Sequence, residues 1–70
     1  MKITFTIHAK NQINERNILN EEVTDSIHHP DKIIKKYGKH FYRKRLDRGE
    51  IEIVCERIEN NIKVITVYWL

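Results

Sequence analysis

The sequence contains few of the residues that cross-link a chain, break its secondary structure or anchor it in a membrane. Its 70 residues include one cysteine, one proline and two glycines. A single cysteine excludes a framework of intramolecular disulfides, and the scarcity of proline and glycine excludes a low-complexity, disordered composition. No run of about 18 apolar residues occurs, which is the length that a membrane-spanning helix requires. We therefore expect a globular chain without a membrane segment.

The N-terminal stretch also lacks the features of an export signal. MKITFTIHAK has no continuous apolar core and no cleavage site of small residues, so no signal peptide is expected. Together with the unpaired Cys55, this favours a reducing, cytoplasmic location. Residues 1–70 are predicted to form one small domain. A chain of this length buries only about 60% of its unfolded surface, so its core is small. Such a domain has no room for a large cofactor, so we expect none.

Acidic residues are nearly absent from one segment, Lys32–Arg48. Eight of the thirteen Lys and Arg residues lie there with a single acid, Asp47, so the segment carries +7. The whole chain carries +3, so the remaining residues must sum to −4. Aromatic rings are interleaved with the positive charges: Tyr37, His40, Phe41 and Tyr42. This pattern is typical of a surface that binds a polyanion such as nucleic acid. The alternative is a solvated, lysine-rich strand edge that deters aggregation.

Two helices are predicted in the first half of the chain. Thr6 can cap the N-terminus of a helix over residues 7–16. Asn20 begins the second helix, because two glutamates follow it and acids favour the positive end of a helix. Pro30 ends that helix. Its buried stripe is short and consists of Val23 and Ile27.

From Asp31 onward, apolar and polar residues alternate with the period of two that is typical of strands. Four strands are predicted, over residues 32–37, 39–46, 50–58 and 62–70. The turns between them are Gly38, Asp47–Gly49 and Asn60–Asn61. Ahead of the first helix, residues 3–7 also alternate, as either a short strand or an extended lead-in. The predicted fold is α+β, with two N-terminal helices packed on a four-stranded antiparallel meander, with or without a short leading strand.

The segment HAKNQINERNI holds the most specific local pattern. His8 lies near the N-terminus of the first helix, where the helix dipole disfavours the imidazolium and keeps the ring neutral. Arg16 lies two turns further along, on an adjoining part of the same surface. A neutral imidazole near a guanidinium can act as a base beside a phosphate clamp. The alternatives are a capping histidine and an arginine tied to a core carboxylate.

Arg43 and Arg45 alternate along one predicted strand and therefore point to the same face, where guanidinium groups can bind phosphate oxygens. An even-length turn after this strand also places them beside Glu50 and Glu52, so a cross-strand ion pair is the alternative for one of the two. Lys44 points to the opposite face. We therefore expect that the basic segment cannot act as a single flat patch.

Tyr68 and Thr66 share a face of the last strand. The tyrosine can stack on a base or donate a proton, and the threonine can bond a phosphate. Core packing and ordinary strand filling are the alternatives. A two-residue turn at Asn60–Asn61 places Tyr68 opposite Ile53, on the face away from Arg43. Both faces mix apolar and polar residues, so the pattern does not decide which one receives the helices.

The histidines and the cysteine show no metal-ligand spacing. His28 and His29 are adjacent at the end of a helix, so their side chains diverge by about 100°. No CxxC motif is present. We therefore predict no metal site, and we expect Cys55 to be a small buried hydrophobe.

Several segments together resemble a family of small prokaryotic domains of unknown function. These segments are ITFTIHAKNQINERNI, EEVTDSIHHPDKI, YGKHFYRKR, GEIEIVCE and IKVITVYWL, which cover nearly the whole chain. Members are often grouped by fold with the RelE/ParE-like toxins and the wider barnase–colicin ribonuclease group. The resemblance implies two helices followed by a four-stranded sheet, and a metal-independent ribonuclease or a relative that kept the fold and lost the activity. It matches the polar positions His8, Arg16, Arg43, Thr66 and Tyr68.

The leading hypothesis is a metal-independent RNA endonuclease toxin, or a toxin-like domain, of a toxin–antitoxin type system. His8 is the expected base or acid, Arg43 stabilises the phosphorane charge, and Tyr68 stacks or donates a proton. Nucleic-acid binding is assigned to four further residues: Arg16, Lys39, Arg45 and Thr66. The alternative is a non-catalytic module that binds RNA or a protein partner, and an acidic antitoxin would suit a basic face.

Overall fold

The computed structural model describes residues 1–70 as two helices lying on one face of a five-stranded sheet. The elements follow in the order β1 (Lys2–Phe5), α1 (Ile7–Glu15), α2 (Asn20–His28), β2 (Lys32–Lys36), β3 (Lys39–Leu46), β4 (Gly49–Ile58) and β5 (Asn61–Trp69). Their order across the sheet is β1-β5-β4-β3-β2. Neither helix has the length and apolar character needed to span a bilayer.

The predicted α+β class, the two helices and the antiparallel meander from β2 to β5 are confirmed. The four-stranded layout is not matched exactly, because the leading strand that the prediction left open is present and joins the sheet. Lys2–Phe5 is a true strand, and it pairs in parallel with the first half of β5, from Lys2 opposite Asn61 to Phe5 opposite Val64. The sheet is therefore mixed and has five strands. The alternation of Ile3 and Phe5 with polar residues is explained by their packing against the core.

The core lies between the helices and one face of the sheet. Ile51, Ile53 and Cys55 of β4 are fully buried there. The helical part of the chain contributes Ala9, Ile13, Ile18, Val23 and Ile27. Because side chains alternate along a strand, the residues between these core positions point to the other face of the sheet. No helix covers that second face, which we call the helix-free face.

The predicted helix signals are confirmed. The Thr6 hydroxyl accepts a hydrogen bond from the Ala9 backbone N–H at 3.0 Å, as an N-cap does. The Glu22 carboxylate accepts one from the Leu19 backbone N–H at 2.9 Å, which secures the start of α2. Both contacts satisfy donors that the first turn of a helix leaves free.

The predicted pairing of β4 with β5 is wrong, and the difference changes which residues meet. The turn is Glu59–Asn60 rather than Asn60–Asn61, with Ile58 opposite Asn61. Moving a turn by one position shifts the pairing by two residues and preserves the faces. A β-bulge in β5, opposite the step from Val54 to Cys55 in β4, then shifts the register by one residue and exchanges the faces. Thr66 and Tyr68 therefore lie on the helix-free face with Arg43, not on the face away from it.

Candidate nucleic-acid interface

The helix-free face holds most of the basic segment. The register of β2, β3 and β4 places five of its eight cations there: Lys32, Lys36, Lys39, Arg43 and Arg45. Lys35 and Lys44 point to the helix side, and the Lys44 ammonium lies 3.7 Å from Asp31. The predicted division of the segment is confirmed, but the larger share remains together on one face.

A buried carboxylate joins two of the predicted site residues on this face. Glu52 is only 5% exposed, although no helix covers it. Its Oε2 accepts a hydrogen bond from Arg43 Nε at 2.6 Å, and its Oε1 accepts one from the Tyr68 hydroxyl. The cross-strand ion pair given as the alternative for Arg43 is therefore present. The two terminal amino groups of Arg43 make no hydrogen bond within the protein. We call these three residues the Arg43–Glu52–Tyr68 centre.

The contacts within the centre fix the charge of its members. Burial alone would raise the pKa of Glu52, but hydrogen bonds from Tyr68 and Arg43 and the charge of Arg43 outweigh burial. The pKa of Glu52 consequently lies below its ordinary value of 4.5. Burial and the adjacent Glu52 carboxylate raise the pKa of Tyr68 to about 12. At neutral pH, Glu52 is therefore an anion and Tyr68 is a neutral phenol.

Gln12 links His8 to β5 at the border of the helix-free face. Its Oε1 accepts hydrogen bonds from the Thr66 hydroxyl at 2.6 Å and from the Val67 backbone N–H at 2.8 Å. Gln12 Nε2 can only donate, and it lies 2.9 Å from Nε2 of the exposed His8. In this contact Nε2 of His8 is the acceptor, so Nδ1 is the ring nitrogen that remains free to donate.

Arg16 contacts backbone rather than a carboxylate. Its Nη1 donates to the Val67 carbonyl oxygen at 2.5 Å, and its own carbonyl oxygen accepts from the Trp69 indole at 3.0 Å. Gln12 of α1 and Arg16, the residue that follows this helix, thus contact the edge of β5 beyond the point where β1 ends. The structure gives Arg16 a contact of its own within the fold and does not bring it into the Arg43–Glu52–Tyr68 centre.

Comparison with known proteins gives one family. The family model described as "Domain of unknown function (DUF4258)" matches residues 5–69. The chain belongs to this family. The predicted membership in a family of small domains of unknown function is thereby confirmed. No curated protein and no solved structure matches the chain.

The remaining predicted site residues of this DUF4258 domain surround the centre at different positions. Lys39 lies opposite Lys36 at the far end of β3. Arg45 is exposed, lies opposite Glu50, and its backbone N–H donates to the Asp31 carboxylate at 2.7 Å. Thr66 lies two residues before Tyr68 on the same face, so it separates the centre from the Gln12–His8 pair.

Two residues of the site in this DUF4258 domain were not predicted as site residues. The sequence predicts Glu52 only as an ion-pair partner of an arginine, and it predicts no role for Gln12. The signal for Glu52 is a glutamate at the middle of the apolar strand GEIEIVCE. No signal in the sequence indicates that Gln12 reaches β5.

Cysteine and histidine contribute no metal centre to the DUF4258 domain. No group of three or more His, Cys, Asp or Glu side chains is arranged to hold a metal ion. The rings of His28 and His29 are tilted, with centroids 6.5 Å apart. Cys55 is free and buried, as predicted, and burial raises the pKa of its thiol to about 12. The thiol is therefore protonated at neutral pH and unsuited to act as a nucleophile.

Proposed function

We propose that this domain is a metal-independent RNA endonuclease, a toxin or toxin-like domain with a RelE/ParE-like arrangement, acting at the Arg43–Glu52–Tyr68 centre. The observation that carries the proposal is an ionised carboxylate held between an arginine and a tyrosine on a basic sheet face. Two helices on one side of an antiparallel meander support the RelE-like grouping.

The proposed reaction uses the nucleophile that RNA itself provides. The 2′-oxygen attacks the adjacent phosphorus and the bond from phosphorus to the 5′-oxygen breaks, which leaves a 2′,3′-cyclic phosphate and a 5′-hydroxyl end. Glu52 accepts the proton of the 2′-hydroxyl, and the Tyr68 hydroxyl donates a proton to the leaving 5′-oxygen. Transfer of a proton from Glu52 to Tyr68 along their hydrogen bond restores both groups.

Arg43 supplies the electrostatic part of the mechanism. Its Nε is held by Glu52, so the guanidinium is oriented, and its terminal amino groups are free to bind two phosphate oxygens. Negative charge on those oxygens increases in the phosphorane. A preorganised donor that points at such charge increases kcat by a factor of about 10²–10³.

His8 is proposed as a further contributor at the border of the site. The sequence predicts it as the base or acid, and the hydrogen bond from Gln12 now occupies its Nε2. The ring then offers its Nδ1–H to a phosphate oxygen. Thr66 lies between it and Tyr68, and two residues of a strand span roughly 7 Å. Since His8 lies beyond Thr66, it would contact a different phosphate of the RNA strand from the one that Arg43 binds.

The test is cleavage of single-stranded RNA by the purified protein in EDTA. We expect cyclic-phosphate products and a rate that falls about 100-fold or more in Arg43→Ala. Glu52→Gln and Tyr68→Phe should also lose most of the activity. Lys44→Ala is the matched control, because it removes the same charge from the same strand on the other face. Full activity in a His8→Ala, Arg43→Ala double variant contradicts the proposal.

A non-catalytic module that binds RNA or an acidic antitoxin-like protein is the second candidate. One observation favours it: both oxygens of Glu52 already accept a hydrogen bond, one from Arg43 and one from Tyr68, as they also would in a purely structural cluster. Tight, strongly salt-dependent RNA binding without any cleavage would support this candidate over the nuclease.

A further inference from the structure

We infer that the helix-free face carries a pocket for one unpaired nucleobase, formed by Tyr37 and Phe41 beside the Arg43–Glu52–Tyr68 centre. The inference rests on the proposed function, because the base belongs to the RNA strand whose phosphate binds Arg43. The centre contacts the RNA backbone, and the pocket adds a neighbouring subsite that contacts the flat face of a base.

A shallow cavity adjoins the centre. Its volume is about 190 Å³, and six residues line it: Ile34, Lys36, Tyr37, Phe41, Arg43 and Glu52. Pockets for drug-sized ligands begin at about 300 Å³, so this cavity suits a single planar ring system rather than a base pair. Arg43 and Glu52 belong to both the cavity and the centre. A base in the cavity is therefore placed next to the phosphate site.

The backbone of Tyr37 indicates that this residue serves something other than stability. Its φ is 54°, and that of Gly38 is 70°, so the tight turn between β2 and β3 has two residues in the left-handed region. Asn, Asp or Gly is the ordinary first residue of such a turn, since a bulky side chain is strained there. Tyr37 is 81% exposed, so packing does not offset the strain. A strained, exposed aromatic residue beside a cavity points to a contact with a ligand.

The chemistry around Tyr37 matches a single-stranded nucleic acid. The Lys36 ammonium lies 5.4 Å from the centroid of the Tyr37 ring. Phe41, half-buried on β3, supplies a second aromatic surface. Single-stranded RNA presents flat bases joined to phosphates, and proteins bind it with aromatic side chains set among cations. The aromatic rings and the cations of the cavity thus match the bases and the phosphates of the proposed ligand.

The test uses a short 2′-O-methyl oligoribonucleotide, which lacks the 2′-hydroxyl proton and is not cleaved, with binding followed by fluorescence anisotropy. We expect Tyr37→Asn to bind it roughly 5- to 100-fold more weakly than the wild type, the range for loss of one base stack. The same variant should unfold at a temperature about 4 °C higher, because asparagine tolerates the left-handed region. Loss of binding together with a gain in stability excludes damage to the fold as the cause.

Glu59→Asp is the matched control. Glu59 has the same left-handed conformation, with φ 56°, in the turn between β4 and β5, and the substitution keeps its charge. It should raise the unfolding temperature and leave RNA binding unchanged. Phe41→Leu, which keeps an apolar side chain on β3, should weaken binding in the same direction as Tyr37→Asn.

An oligonucleotide with the same backbone but no bases distinguishes binding of a base from binding of phosphates. We expect the wild type and Tyr37→Asn to bind it equally, since no base is present. Equal binding of the intact oligonucleotide by the two proteins overturns the pocket while leaving the endonuclease proposal in place. A wild type that binds no RNA at all overturns both.

Discussion

At the scale of single residues, Glu52 is the side chain whose environment is most tightly constrained. A buried carboxylate is stable only when donors satisfy it, and Arg43 and Tyr68 do so. We expect Glu52→Gln to lower the free energy of unfolding by about 1–3 kcal/mol at neutral pH, because both donors lose their anionic partner. Urea denaturation measures this change. An unchanged midpoint would contradict the role of Glu52 in the fold.

The same residue predicts how stability depends on pH. The pKa of Glu52 is lowered below 4.5 in the folded protein, so its contribution is present above pH 4.5 and is lost as the pH falls through the folded-state value. Glu22, whose pKa is lowered chiefly by the hydrogen bond from the Leu19 backbone, follows the same rule. The unfolding free energy of the wild type should therefore fall in acid, and that of Glu52→Gln should fall less steeply. Parallel curves from denaturation at several pH values would refute this.

At the scale of secondary-structure elements, side chains of α1 and of its C-cap residue Arg16 replace the hydrogen bonds that a neighbouring strand would make to the last part of β5. Gln12 accepts the Val67 backbone N–H, and Arg16 donates to the Val67 carbonyl oxygen. We expect Gln12→Ala to cost about 1–3 kcal/mol, since a backbone donor loses its partner, and to speed hydrogen exchange at Val67. Asn11→Ala, at an exposed position of the same helix, is the control. Equal exchange rates at Val67 in both variants would contradict the edge contact.

The turn between β3 and β4 requires glycine at position 49, because of both its backbone conformation and the nearby Trp69 ring. Gly49 has φ 143°, and a Cβ there would lie 3.3 Å from a ring carbon of Trp69. Gly38 also has a positive φ, but its Cβ would meet nothing within 4 Å. We expect Gly49→Ala to cost about 1–3 kcal/mol and Gly38→Ala to cost less, because only the first adds a steric contact to backbone strain. Thermal denaturation of both variants decides, and a reversed order would be inconsistent with the structure.

At the scale of the whole molecule, the sequence specifies the elements better than it specifies their faces. Helical periodicity, the Thr6 cap and period-two alternation place both helices and the four strands of the meander correctly. The face of Tyr68 could not be predicted, because the bulge in β5 adds one residue without a turn residue to mark it. The burial of Glu52 likewise depends on Arg43 and Tyr68 arriving from two other strands. The site is therefore formed by contacts between residues that are distant in the sequence, and local sequence patterns do not predict such contacts.

The distribution of charge over the molecule predicts how RNA binding responds to salt. Five cations of the basic segment share the helix-free face. Each phosphate neutralised on a single strand adds about −0.7 to the slope of log affinity against log salt, so three to five contacts give a slope of about −2 to −3.5. Arg45→Ala should make the slope shallower, and Lys44→Ala should not. A salt-independent affinity would show that the basic face does not bind phosphates.

The most direct test of the functional surface is to map where RNA binds. In a titration of ¹⁵N-labelled protein with a 2′-O-methyl oligoribonucleotide, we expect the largest shifts of backbone amide resonances at Tyr37, Phe41, Arg43 and Tyr68. The amides of α2, on the opposite side of the sheet, should stay in place. Shifts concentrated on α2, or no shifts at millimolar RNA, would contradict the assignment of the helix-free face as the RNA site.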